Sequence, residues 1–156
     1  MNAAKKRLVD AWIEFKKRTH PLLPENVIVA PNYNERNSNG TTKMIRDWLY
    51  IHGHHVERIN TTGRMIDETK VVTDVLGGHR RIGSVRWIPT AGQRGSADLH
   101  ALINGRAVYI EVKHGTDTQT EAQKEFQRRV EANGGLYWLV YSFEEFLLLY
   151  DNLCLT

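Results

Sequence analysis

Four side chains in the second half of the chain are of the types that handle metal and phosphate: Asp98, His100, Glu111 and Lys113. They lie in two β-type runs, Ala97 to Ile103 and Arg106 to Lys113, separated by Asn104-Gly105. Asn-Gly is the strongest short hairpin signal, because the favoured two-residue turn needs φ > 0 at both central positions. With those two residues as the loop, Ile103 pairs with Arg106, Ala101 with Val108, and Leu99 with Ile110. Asp98 then falls opposite Glu111. Opposed residues share a face, with Cβ atoms about 4.5–5.5 Å apart. One face becomes Leu99, Ala101, Ile103, Val108, Ile110 and Val112, which is a core face. The other carries Asp98 and His100 opposite Tyr109 and Glu111, with Lys113 two residues along.

Facing carboxylates repel, and such a pair costs stability. A divalent cation offsets the repulsion, and Mg²⁺ prefers one or two carboxylates plus waters and phosphate oxygens. Lys113 adds a fixed positive charge suited to a phosphate or an activated water. These are the parts for Mg²⁺- or Mn²⁺-dependent phosphodiester hydrolysis: a Lewis acid, a nucleophile and a charge stabiliser. The same residues also fit a solvated sheet face with Lys113 as an ordinary cross-strand ion-pair partner.

The elements around this hairpin predict an α/β domain: a mixed central sheet flanked by helices. Residues 4–18 read as a helix, with Leu8, Trp12 and Phe15 on one stripe beside Val9 and Ile13, and Pro21 and Pro24 ending it. Residues 1–24 are therefore taken as a basic amphipathic helix and linker, and 25–156 as the rest of a single globular domain. A second helix is expected from about Thr42 to His52, with Gly53 as its stop. Val56 to Asn60 and Val85 to Ile88 read as strands. Residues 61–84 give no clear pattern beyond a strand suggested by Val71, Val72 and Val75 and a turn at Gly77-Gly78. A Gly-rich loop, Thr90 to Gly95, precedes the hairpin. Thr120 with Gln123 forms a capping box that opens a helix to about Asn133. Leu136 to Tyr141 is a buried strand, and Ser142 with Glu145 caps a last helix through Leu153. Strand, helix, strand in that order implies a right-handed parallel crossover onto the hairpin sheet.

Gly95-Ser96-Ala97-Asp98, the hairpin, Glu111-Val112-Lys113 and then a helix bearing Gln123 together resemble the PD-(D/E)XK nuclease superfamily. The similarity is closest to its VRR-NUC and Holliday-junction-resolvase-like branch, often found in phages and their hosts. The resemblance covers roughly residues 42–147 and includes Gly134-Gly135, the following strand and Ser142-Phe143-Glu144-Glu145. It implies a restriction-endonuclease-like core, with an added N-terminal helix. It also implies Asp98 and Glu111 as metal ligands, Lys113 as the catalytic lysine and Gln123 as support for the site. Two positions depart from the pattern. Ala97 stands where the family name has proline. The first core helix begins Thr41-Thr42-Lys43-Met44, with no acid, which leaves Glu35 just upstream as the candidate third ligand.

Charge is distributed to match a polyanion. Residues 1–115 carry 18 Lys/Arg against 11 Asp/Glu, and residues 116–156 carry 3 against 7. Arg64, Arg80, Arg81, Arg86 and Arg94 cluster in the segment leading into the hairpin and are the candidate phosphate contacts. The expected partner is DNA, branched or duplex, cut as an endonuclease would cut it. Junction cleavage would call for a homodimer. An inert DNA-binding module of the same fold is the alternative, supported by the missing helix acid. His52, His54 and His55 flank Gly53, where a helix C-terminus favours His; a transition-metal site would need a fuller ligand set. Trp12, Trp48, Trp87 and Trp138 read as core. No apolar run is long enough to span a membrane, the N-terminus lacks the pattern of a secretory signal, and the lone Cys154 suits a reducing cytoplasm; the resemblance implies a bacterial or phage-encoded protein.

Overall fold

Asn2 starts the first helix by accepting a hydrogen bond from the Lys5 N–H at 2.9 Å, and α1 runs Ala3–Thr19. The computed structural model describes residues 2–59, 63–88 and 92–155. Asn60, Thr61, Thr62, Thr90 and Ala91, which belong to the segments expected as strand and loop, lie outside the described residues. The second helix, α2 (Ser38–Ile51), begins four residues before the expected Thr42, because Asn37 caps it through the Gly40 N–H at 2.9 Å. Gly40 is required there, since a Cβ would lie 2.2 Å from the Asn34 carbonyl oxygen. Next come β1 (His55–Arg58), β2 (Arg64–Asp67), β3 (Lys70–Thr73), β4 (His79–Ile82) and β5 (Val85–Ile88). The chain ends with β6 (Leu99–Ile103), β7 (Arg106–Val112), α3 (Glu121–Ala132), β8 (Leu136–Val140) and α4 (Phe143–Leu155).

The chain divides into two compact units, Met1–Ile59 with Gly95–Thr156, and Asn60–Arg94. The first is a mixed α/β unit whose sheet has the order β1-β6-β7-β8. β1, β6 and β7 are antiparallel neighbours, and β8 runs parallel to β7, as a helical crossover through α3 requires. Leu99, Ala101, Ile103, Val108 and Ile110 are fully buried in one core with Leu8, Met44, Ile45, Leu49, Phe143 and Phe146 from α1, α2 and α4. Each of these side chains apart from Ala101 contributes about 1.5–3 kcal/mol on leaving water. Arg7 ties α1 to α4 through a two-pronged pair with Asp151, at 2.6 and 2.7 Å. On the opposite sheet face a smaller cluster joins Phe126 of α3 to Ala97 and Tyr137, with Tyr109 packed beside them.

In the second unit β2 pairs with β5 and β3 with β4, both antiparallel. The two ladders keep one register, because Asp67 faces Val85, the Glu68 N–H donates to the Ser84 carbonyl at 3.0 Å, and Lys70 faces Ile82. Residues 64–88 are thus one long hairpin, with Asp74–Gly78 as its tip; the Gly78 carbonyl accepts from the Asp74 N–H at 2.9 Å. The strand suggested by Val71, Val72 and Val75 ends at Thr73, and Val75 lies in the tip. Trp87, expected in a core, is 62% exposed on this hairpin; Trp48 and Trp138 are buried as expected. Among the described residues no helix is long and apolar enough to cross a membrane.

Candidate active site

The β6–β7 turn has the geometry that Asn104-Gly105 demands, with φ of 50° and 79°. The ladder pairs Leu99 with Ile110, His100 with Tyr109 and Ile103 with Arg106, so the next position sets Asp98 against Glu111. Two backbone bonds hold that end in place. The Ile59 N–H donates to the Asp98 carbonyl at 2.9 Å, and the Lys113 N–H donates to the Val140 carbonyl at 2.9 Å. The Asp98 carboxylate itself reaches over the ladder, where Oδ2 accepts the Val112 N–H at 2.9 Å.

Glu111 is only 3% exposed, so this is not an open, solvated sheet face. Gln123 of α3 lies against it, and Tyr109, Phe126 and Tyr137 cluster on the same sheet face. Lys113, the residue just past the end of β7, places its ammonium 2.8 Å from Glu111 Oε1. Gln123 closes the arrangement. Its Nε2 donates to Glu111 Oε1 at 2.5 Å, and its Oε1 accepts from Lys113 Nζ at 3.0 Å. The same Oε1 accepts the Thr120 N–H at 2.9 Å, and the Thr120 hydroxyl accepts the Gln123 N–H at 3.3 Å, which completes the capping box of α3. Helix capping and support of Glu111 are therefore performed by one amide.

Burial holds the Glu111 carboxyl above its ordinary range; the hydrogen bond from Lys113 opposes this, and the charge of Asp98 reinforces it. Asp98 Oδ1 and Glu111 Oε2 take no hydrogen bond among the described residues. Each carboxylate thus keeps one oxygen for a ligand. Gly95, at φ 84°, brings the loop before Asp98 against the first turn of α3: a Cβ there would lie 2.3 Å from the Ala122 carbonyl oxygen.

The chain matches no protein-family model and no curated protein.

The remaining candidates are placed as follows. Glu35 Oε1 accepts the Phe143 N–H at 2.6 Å and so caps the first turn of α4. Among the described residues no three His, Cys, Asp or Glu side chains form a metal-holding group, so Glu35 is not joined to Asp98 and Glu111 in one. The acid that α2 does carry, buried Asp47, is neutralised by Lys43 and by Arg46 at 3.2 Å, and accepts from the Tyr33 hydroxyl at 3.1 Å. His100 stacks on Tyr109 with ring centroids 4.7 Å apart. His52 bonds the Trp48 carbonyl and His54 the Tyr150 hydroxyl, each at 2.8 Å. Arg64, Arg80, Arg81, Arg86 and Arg94 all belong to the second unit and are exposed. Tyr137 was not singled out by the sequence. It is 8% exposed, and among the described residues its hydroxyl meets no partner within hydrogen-bond geometry, Gln119 being the polar side chain that acts on it. Burial, aided by the charge of Glu111, pushes its pKa up to about 12. As one aromatic in a buried strand it carried no signal beyond packing.

Proposed function

We propose that this chain is a metal-dependent DNA nuclease of the PD-(D/E)XK kind, closest to the VRR-NUC and Holliday-junction-resolvase-like branch. The observation that carries the reading is the closed set Glu111–Lys113–Gln123 beside Asp98, with one oxygen on each carboxylate unpartnered among the described residues. A buried carboxylate held above its ordinary pKa is an unfavourable thing to fold, and such groups concentrate at functional sites. The donor set suits Mg²⁺ or Mn²⁺, which accept two carboxylates and complete their shells with water and phosphate oxygens. Bound by Asp98 and Glu111, the ion would supply Lewis acidity and water activation. Lys113 would orient the attacking water and stabilise charge developing on the phosphate. Gln123 fixes Glu111 and Lys113 relative to each other, so that neither has to reorganise during the reaction.

The substrate class proposed is duplex or branched DNA, cut internally, with a homodimer as the form suited to a four-way junction. The test is a panel of branched, single-stranded and duplex DNA with Mg²⁺, Mn²⁺ or EDTA. Cleavage that needs the metal and vanishes in Asp98→Asn and Glu111→Gln is expected; a wild-type protein that binds DNA and cuts none of the panel overturns the reading. That outcome would favour an inert DNA-binding module, which has one observation in its support: the only acid near α2's start, Glu35, is engaged by Phe143.

A further inference from the structure

The hairpin of residues 64–88 has an excess of positive charge on one face and balanced charge on the other. Directly paired residues share a face, so Arg64, Ile66, Lys70 and Val72 lie on the same side as Ile88, Arg86, Ile82 and Arg80. The opposite side carries Met65, Asp67, Val71 and Thr73 with Trp87, Val85, Arg81 and His79. Side-chain contacts agree with this division across the junction between the ladders. Arg86 meets Glu68 at 3.2 Å on the first side. Arg81 donates to the Thr69 hydroxyl at 3.1 Å and lies 3.9 Å from Asp67 on the second. The first side therefore has four cations, Arg64, Lys70, Arg80 and Arg86, against the single anion Glu68. The second has Arg81 balanced by Asp67. Arg64, Lys70 and Arg80 make no ion pair among the described residues.

We infer that this hairpin is a duplex-DNA-binding arm that lies along a groove with its Arg64–Lys70–Arg80–Arg86 face toward the phosphates. A two-stranded ribbon is the width that the major groove of B-DNA admits. With ten residues in each strand, 64–73 and 79–88, it is roughly 30 Å long, about one helical turn of duplex. Nearly every residue of its strands is exposed on both sides, so it has no core of its own. An isolated two-stranded hairpin is marginal in water; a polyanion along its charged face would add the interactions it lacks. The tip presents Val75 and Leu76, 102% and 93% exposed, which suits contact with base edges or the thymine methyl. The choice of DNA as the polyanion rests on the nuclease reading; the face and its register do not. Lys70 joins the phosphate-binding set, and Arg81, grouped with the other arginines by sequence, leaves it.

The test measures binding of the full chain to a labelled duplex in EDTA, where nothing is cut, over a range of salt. Arg64→Ala/Lys70→Ala/Arg80→Ala should flatten the log–log salt slope by about 2–3, close to one unit for each phosphate no longer neutralised. Arg81→Ala should flatten it by well under about 1. Glu68→Gln should tighten duplex binding, a gain that misfolding cannot produce. A slope change per charge as large for Arg81 as for the triple variant overturns the proposal, as does equal affinity for single-stranded DNA of the same sequence. If the wild type cuts DNA and the triple variant binds and cuts like it, the arm is wrong and the nuclease reading stands. If duplex binds through this face but no metal supports cutting, the arm stands and the nuclease reading falls.

Discussion

Glu111→Gln should make the protein at least as stable at neutral pH while suppressing the proposed DNA cleavage. The carboxylate is 3% exposed. Two effects oppose its ionised form, burial and the charge of Asp98; two support it, Lys113 at 2.8 Å and Gln123 at 2.5 Å. Removing one partner of a buried ion pair commonly costs about 3–5 kcal/mol, whereas relieving an uncompensated buried charge returns energy. The direction of the pKa shift decides between them. Glu111 sits above its ordinary 4.5, so the opposing effects outweigh the supporting ones. A neutral amide of the same shape keeps an acceptor for Gln123, and Lys113 keeps Gln123 Oε1 at 3.0 Å. A gain on the order of 1 kcal/mol would raise the melting temperature by about 2–4 °C in a chain of this size. The gain should depend on pH. The wild-type carboxyl binds its proton more tightly folded than unfolded, so its stability falls as pH rises from 4.5 through the raised folded value. The variant has no such loss. Melts of both proteins, without metal, should therefore diverge most at neutral and higher pH and converge as pH falls toward 4.5. DNA cleavage by the variant should drop about 10²-fold or more. A variant that melts below wild type at neutral pH would show that the Lys113 pair dominates, and the account of the site's electrostatics would be wrong.

Lys113→Ala should lower the cleavage rate by about 10² or more while changing duplex affinity in Ca²⁺ far less, since the ammonium acts where charge develops; single-turnover cleavage and anisotropy read the two separately, and proportional losses would reduce Lys113 to a docking residue. Gly95→Ala should destabilise by at least about 2 kcal/mol in urea melts, combining the left-handed backbone penalty with a Cβ 2.3 Å from the Ala122 carbonyl oxygen; a loss under about 0.5 kcal/mol would mean that loop and helix are not packed as described. Glu35→Ala should cost about 1 kcal/mol through removal of a helix cap, and Glu35→Gln should restore it. Calorimetric Mn²⁺ titration of the Gln variant should match wild type, and a tenfold weaker affinity would identify Glu35 as a metal ligand instead.

The hairpin register was legible because one dipeptide fixes it and a one-residue slip would turn Leu99, Ile110 and Val112 out of the core. The capping box of α3 was legible for a similar reason, as Thr120 and Gln123 are a local pair. Burial of Glu111 was not. It comes with α3 packing onto this sheet face and bringing Gln123 to the carboxylate, a tertiary event with no local mark at residue 111. The start of α2 was missed because Asn37 is one of several Asn and Ser residues there, and only the structure shows which one caps. The ribbon was the least legible element. Alternation signals a strand only when one face is buried, and this hairpin exposes both, so its apolar residues follow no period.

Gln123 joins two requirements that would ordinarily be independent. A capping box accepts Glu or Gln with equal ease, because either offers an oxygen to the backbone of Thr120. Across the crossover, Glu111 requires a donor at that same position, 2.5 Å from its Oε1. Glutamate at 123 would serve the helix and press a third carboxylate oxygen onto Glu111. Leucine would spare Glu111 the repulsion but leave the Thr120 N–H without its side-chain acceptor and Glu111 without its donor, the Thr120 hydroxyl alone still capping the helix. The permitted alphabet at position 123 therefore contracts to one letter, set on one side by helix initiation and on the other by an acid on a neighbouring strand.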